Sequence, residues 1–526
     1  MFTDPVRTRG YPLKNNIHIN SQSALSLSIA TPMGNATFSY GIQVTQGFFT
    51  FDQIVSHWIV VDGDGRELDF GPTTSAPAAA AGIFSELIFN PTTGFVLRNA
   101  NEPEHIEDAG NFTYNFDQNG RLTSLVDPEG NIQSIIYNAS LKPLVVTDQS
   151  SNKTLTFGYN TSGLINTVTE NGAGAITELS YTNSLLSTIT VKDNQGNIVR
   201  NASVTYNADG APITLTKDND PATTLTFTHA KAGHRVYLGN ITDTVNGNTN
   251  FNYAEFPVIT NTRRTSQTNT RGGVTYYDYD LKGDLVSVTL PGVTGATQSV
   301  KFDYTYNADH NLTSVTDGIT TYTLTYTANG LLSSITNNLG EFRNYQYNGV
   351  DLLKITDNIG TILELGYRDT NNPHSVTFFK DGSQNQWSRT LNQFGQTLTI
   401  SAPRGSPQGI TQFKYEENPS SFFYGYLRLI TNGAKEVVTI DGYSALGDIL
   451  SISTYPSAVI TNTHSFTYDA SQRITGYIAP DGKNIDFNYT GKDLTSINDE
   501  AHTVTTYEYC PSCSQLKGVH AALGKN

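Results

Sequence analysis

The chain has 526 residues, a formal net charge of −15 and only 15% charged residues. It is rich in Thr, Asn, Ser, Gly and Tyr, a strand-and-turn composition that excludes a helical repeat array, and its low charge content excludes extended disorder. The acidic balance, pI about 5.0, comes with no Lys/Arg stripe, which argues against nucleic acid and against an anionic membrane surface as partners.

From the N-terminus, Met1 through Lys14 has no apolar core of signal-peptide type. Ala36-Thr37-Phe38-Ser39-Tyr40 alternates as a strand does, and Trp58-Ile59-Val60-Val61 runs into the turn Asp62-Gly63-Asp64-Gly65. That apolar run is far too short to cross a bilayer, so no membrane insertion is expected. Residues 76–82 read as a loop. Residues 1–110 are non-repetitive and β-rich, and their natural role is a cap over the first exposed edge of a stack.

From residue 111 to 526 short blocks recur about every 20–25 residues. One runs Phe112-Thr113-Tyr114-Asn115, then Gly120-Arg121-Leu122-Thr123-Ser124-Leu125-Val126-Asp127; another runs Tyr304-Thr305-Tyr306-Asn307, then Leu312-Thr313-Ser314-Val315-Thr316-Asp317. Incoming strands carry aromatics at period two, as in Tyr322/Leu324/Tyr326 and Phe466/Tyr468, which puts each set on one face. Turns such as Asn160-Thr161-Ser162-Gly163 follow, built from residues that tolerate positive φ. Stacked hairpins of this kind are expected to align Tyr against Tyr as an aromatic ladder. The rhythm breaks at about 215–275 and 370–445; such longer loops lie at a solenoid's rims, where function concentrates.

These blocks resemble the RHS/YD-repeat family, which includes bacterial RHS proteins, Tc-toxin shells and teneurin-like β-shell proteins. The resemblance covers roughly residues 110–526 and rests on pieces such as Tyr468-Asp469 followed by Arg473-Ile474-Thr475, and Asn119-Gly120-Arg121-Leu122-Thr123 before Asp127-Pro128-Glu129-Gly130-Asn131. Val61 through Phe70 also looks like the region preceding such repeats. The resemblance implies an all-β fold, a spiralling stack of β-hairpins that forms a hollow shell behind the N-terminal cap. In bacterial relatives the shell encloses a C-terminal effector; in animal relatives it mediates adhesion. Here the sequence stops at Lys525-Asn526 without the core and effector region that usually follow.

Candidate chemistry is sparse. Cys510-Pro511-Ser512-Cys513 follows Tyr507-Glu508-Tyr509 at a turn position and resembles half of a zinc knuckle. His502 and His520 flank it, but each lies about seven residues up its strand, over 20 Å from the sulfurs at about 3.3 Å per residue, so the four do not form one single site. Across the two strands, however, His502 and His520 are expected to be neighbours. His229 and His234 bracket Ala230-Lys231-Ala232-Gly233 and form the second pair; two imidazoles across a turn can chelate copper or zinc. Most such pairs bind nothing, and the cysteines are equally a turn variant or a disulfide. Paired turn carboxylates could hydrolyse glycosides, but most are the turn Asp of the repeat. Asp62-Gly63-Asp64-Gly65 hints at calcium yet lacks the later ligands of an EF loop. No Gly-x-Ser-x-Gly, P-loop or His-Glu-x-x-His motif occurs.

Three readings of function follow. The leading one is a secreted or cell-surface scaffold that binds or encapsulates, with aromatics contacting a glycan or an apolar polymer surface. The second is a copper- or zinc-dependent oxidoreductase or hydrolase that uses the paired histidines. The third is a cargo-less piece of a larger toxin shell.

Overall fold

The computed structural model describes residues 17–19, 36–38, 42–47, 56–64, 66–103, 105–171, 175–193, 195–217, 224–232, 235–243, 247–252, 263–269, 272–292, 300–403, 409–418, 421, 423–444, 447–455, 461–469, 473–490, 493–499, 504–509 and 516–521. No α-helix occurs among them. Beyond the short strand pair Ile17–Ile19 and Ala36–Phe38 lie two sheets. One has three strands, Gln43–Gly47, His57–Val61 and Glu67–Pro72; the other has 38 strands and runs from Glu86–Asn90 to Leu516–Ala521. In the large sheet every strand pairs antiparallel with its chain neighbour, so the fold is all-β and its order is the order of the sequence.

The repeat's two signature residues do separate jobs. Most incoming strands end in a β-bulge at their last aromatic, for example between Ile136 and Tyr137, Thr325 and Tyr326, and Thr467 and Tyr468. The bulge bends the strand and turns that side chain. The next residue, usually Asn or Asp and sometimes Thr or Ser as at Thr327 and Ser444, closes the hairpin turn. The Asn307 Oδ1 accepts from the Asp309 and Asn311 N–H groups at 3.0 and 2.9 Å, and Asp117, Asn138 and Asn160 repeat the pattern. Such Asx turns pre-pay loop order with a side-chain oxygen. The fourth turn residue has positive φ, usually a glycine such as Gly120 or Gly330.

Tyrosine then ties one hairpin to the previous one. Registered pairing between neighbouring hairpins is short, as in Ser314↔Thr323, Val315↔Tyr322 and Thr316↔Thr321. It stops before the hairpin-turn end. There the Tyr326 hydroxyl donates to the Leu312 carbonyl at 2.7 Å, and Tyr347 to Leu332 at 2.8 Å. Among the described residues twelve tyrosines make this bond, from Tyr137 to Tyr489. Burial raises the hydroxyl pKa of Tyr326 and Tyr347, and that of Tyr159 to about 12, so these hydroxyls remain donors. The expected Tyr-on-Tyr ladder is therefore replaced by a ladder of hydroxyl staples. Successive tyrosines sit two strands apart, about 10 Å, too far for ring contact.

The sheet winds as a spiral. Asn111 Nδ2 donates to Asp351 Oδ1 at 3.3 Å and the Ser375 hydroxyl to Glu129 Oε1 at 2.8 Å, partners 240 and 246 positions apart in sequence. Lys153 Nζ lies 5.2 Å from the centre of the Tyr426 ring, and the Phe84 ring covers Gly330, where a Cβ would collide with it. Each contact joins the edge of turns that link hairpins in the first winding to the edge of turns within hairpins in the second. The strand order is that of a closed barrel, but a single ring of 38 strands at about 4.8 Å each would be about 60 Å across and could not make these contacts. One winding is thus about 240 residues.

The main apolar core lies in the first winding. It runs from Ile42, Val44, Trp58 and Phe70 through Tyr114, Leu125, Leu155 and Phe157 to Ile189. The three-stranded sheet belongs to it: Trp58 packs 5.3 Å from Phe89 and 5.2 Å from Phe95, and the Val44 N–H donates to the Gly120 carbonyl at 2.8 Å. The cap thus seats on the face and turns of the first hairpins, and the hairpin Glu86–Asn90 and Gly94–Ala100 is already part of the long sheet. In residues 301–366 only Asn337 and Gly366 are buried, so that stretch is a wall with no packed layer behind it.

Candidate functional site

An apolar cleft of about 310 Å³ is lined by Val376, Thr377, Phe378, Phe379, Trp387, Ser388, Arg389 and Ile400. It falls inside the stretch where the repeat rhythm breaks. The strands Phe378–Asp381 and Gln386–Leu391 place Phe379 directly opposite Trp387. Directly opposed residues share a face, and the two rings stack at 4.6 Å with 7° between their planes. Phe379 and Ile400 remain 37% and 39% exposed, so an apolar aromatic surface faces solvent.

The long loop before these strands fixes the cleft's back wall. Thr377 N–H donates to the Gly366 carbonyl at 2.7 Å, and Arg389 N–H to the Thr377 carbonyl at 2.7 Å. Phe378 lies flat on Gly366, where a Cβ would overlap its ring, and the Arg368 guanidinium covers it at 4.0 Å. Arg389 Nε donates to the Val376 carbonyl, which holds the guanidinium stem across the cleft. A rigid apolar slot with a planar aromatic wall and a guanidinium suits a flat ring with polar substituents.

The residues singled out from the sequence fall elsewhere. Cys510, Cys513, His502 and His234 lie outside the described residues. His229 sits at a bulge position, between Thr228 and His229, where most repeats carry tyrosine; it faces Leu238, and burial lowers its pKa. The registered pairing of that hairpin continues through Ala232↔Arg235. His520 is paired with Thr506, not with residue 502, because the register sets Thr505 against Ala521; its Nε2 lies 3.6 Å from Glu508.

One group missed from the sequence is His105, Glu107 and Asp108, whose ligand atoms lie within 4.8 Å of one another. Arg66 already grips both Glu107 oxygens, at 2.7 and 3.1 Å, so a cation there would compete with a guanidinium. The Asp62-to-Gly65 turn is likewise occupied by protein: Asp62 accepts from Arg66 N–H at 2.8 Å and Arg66 Nε at 2.9 Å. It is a hairpin turn held by the Arg66 donors on Asp62.

A sheet of bulged, Tyr-stapled and Asx-turned hairpins wound into a spiral defines a β-repeat scaffold. Residues 306–341 match the RHS Repeat family model, and this stretch holds the Tyr306 and Tyr326 staples. No curated protein matches it in sequence. Among solved structures it is similar to the TcdB2-TccC3-TEV crystal structure, with 9% identity, a TM-score of 0.48 and coverage of 99% of this chain and 35% of that one. It is also similar to the Photorhabdus luminescens Tc holotoxin pore, with 14% identity, a TM-score of 0.49 and coverage of 88% and 27%. This chain spans about a third of the length of those chains.

Proposed function

We propose that the chain is an extracytoplasmic RHS-repeat scaffold whose wall presents the Phe379–Trp387 cleft to a sugar ring or an apolar polymer segment. The stacked, half-exposed aromatic pair beside Arg389 carries this reading. Glycans offer apolar ring faces and hydroxyls, the two chemistries this wall supplies. Only two tryptophans occur in the chain, and Trp58 is buried in the cap. In a Trp58→Phe background, Trp387 emission reports the cleft alone. Titration with soluble oligosaccharides and polymer fragments should give a saturable shift that Phe379→Ala abolishes. An unchanged spectrum across the panel would remove the reading.

A second reading, encapsulation, is supported by the unpacked wall at 301–366. Its apolar side chains, Tyr304, Val315, Leu324, Ile335, Tyr345 and Ile355, alternate along paired strands without a buried layer against them. Intact-mass measurement of the purified assembly tests it: a co-purifying polypeptide supports enclosure, and a bare chain from its native source counts against it.

A further inference from the structure

Three segments from the two windings meet around one polar spot. The linking turn 127–131 belongs to the first winding; the loop 369–375 and the hairpin turn 392–396 belong to the second. Asp127 holds the linking turn: its Oδ1 accepts from the Glu129 and Asn131 N–H groups at 3.0 and 2.8 Å, and its Oδ2 from Asn131 Nδ2 at 2.8 Å. Glu129 is thereby presented to the second winding, where its Oε1 takes the Ser375 hydroxyl at 2.8 Å. That hydroxyl and the Glu129 N–H are the donors that act on the carboxylate, fewer than its two oxygens can take.

Asn372 is fully buried on the other side. Its N–H donates to Asp369 Oδ1 at 3.1 Å and its Nδ2 to the Asn392 carbonyl at 2.8 Å. The second bond fixes the orientation of the amide, because a carbonyl accepts only from the NH2 side. The Oδ1 is turned the other way, and no protein group bonds it. It and Glu129 approach the same place, the position that a Gly395 Cβ would take: Asn372 Oδ1 is 3.4 Å from it, Glu129 Cγ 3.0 Å and Glu129 Cδ 3.7 Å. Gly395, with φ of +80°, leaves that place open. A buried acceptor left bare is costly. Burial raises the Glu129 pKa and Asp127 adds to the rise, as for a carboxylate short of positive charge. His374 opposes that rise but is itself bonded to Asp351 at 2.9 Å.

We propose that a calcium ion bridges the Glu129 carboxylate and the Asn372 side-chain oxygen, tying the first winding to the second, with water in its remaining positions. Carboxylate and amide oxygens are the ligands of a hard cation. A single carboxylate places the affinity in the weak class, with a Kd on the order of 0.5 mM.

Hydrogen exchange of the full chain, read by mass spectrometry, tests this. The chain is treated with EDTA and then brought to about 5 mM calcium chloride, about ten times that Kd, with choline chloride at equal ionic strength as the reference. Exchange at both 127–131 and 369–375 should slow by about tenfold, the factor 1 + [Ca]/Kd for openings that break the site. Glu129→Gln should abolish this response, and so should Gly395→Ala, which fills the spot with a methyl. Ser375→Ala removes only a hydroxyl bond and should keep it; circular dichroism checks that each sheet persists. No calcium-dependent slowing in the wild type, slowing at one segment only, or a response that survives in Glu129→Gln would overturn the proposal. A wild type indifferent to calcium beside a more protected Glu129→Gln would mean that a proton or a water completes the spot, and would overturn it too.

Discussion

The Tyr326 hydroxyl donates to the Leu312 carbonyl at 2.7 Å, at the end of a seam where paired backbone has already run out. A repeat whose hairpins share so few backbone pairs needs a side-chain bond at its open end, and tyrosine reaches it. Tyr326→Phe should therefore lower stability by about 1 kcal/mol and speed amide exchange at 312–314. Tyr322→Phe on the same strand, 43% exposed, should change neither. Equal behaviour of the two variants would remove the staple as a structural device.

The contact between windings should be measurable as a coupling. Burial raises the Glu129 pKa, and the Ser375 hydroxyl bond opposes that rise. A double-mutant cycle with Glu129→Gln and Ser375→Ala should give an interaction of about 1 kcal/mol, although 246 positions separate the two residues. Strict additivity would mean that the windings do not touch there.

Two turn glycines with similar backbones should differ in cost. Gly130 has φ of +83° and open space around a built Cβ, whereas a Cβ on Gly120, at φ +75°, would overlap the Val44 carbonyl of the cap. Gly130→Ala should cost about 1 kcal/mol from the left-handed backbone. Gly120→Ala should cost at least twice that and expose Trp58, which denaturation followed by tryptophan emission would read. Equal costs would place the cap elsewhere.

Stability should carry a signature of Asp62. Burial pushes its carboxyl up to about 8, aided by its hydrogen bond to Asp64 and opposed by Arg66. Between about pH 4 and about pH 8 the folded chain then holds a proton that the unfolded chain releases, so this contribution to stability falls as pH rises. Exposed turn acids act oppositely: backbone donors lower the Asp317 pKa and the Asn197 side chain lowers that of Asp193, so their contribution is lost as pH falls. Asp62→Asn should flatten the decline between about pH 5.5 and about pH 8.5, measured as unfolding midpoints. A wild-type midpoint that does not fall over that interval would count against a protonated Asp62.

Residue type and spacing alone determined the hairpin order, the aromatic face and the Asn/Asp turns, because alternation and turn chemistry act within a few residues. They also marked residues 370–445 as irregular, where the Phe379–Trp387 cleft lies. Residue spacing did not set which residues face His229 and His520, Leu238 and Thr506, because a bulge moves every later partner along the strand and pairing register is a property of two strands. Only the tertiary structure decided that tyrosine hydroxyls cross to the preceding hairpin and that one winding closes on the next after about 240 residues. Those outcomes depend on accumulated twist and bend over many strands, a sum that no short stretch of sequence contains.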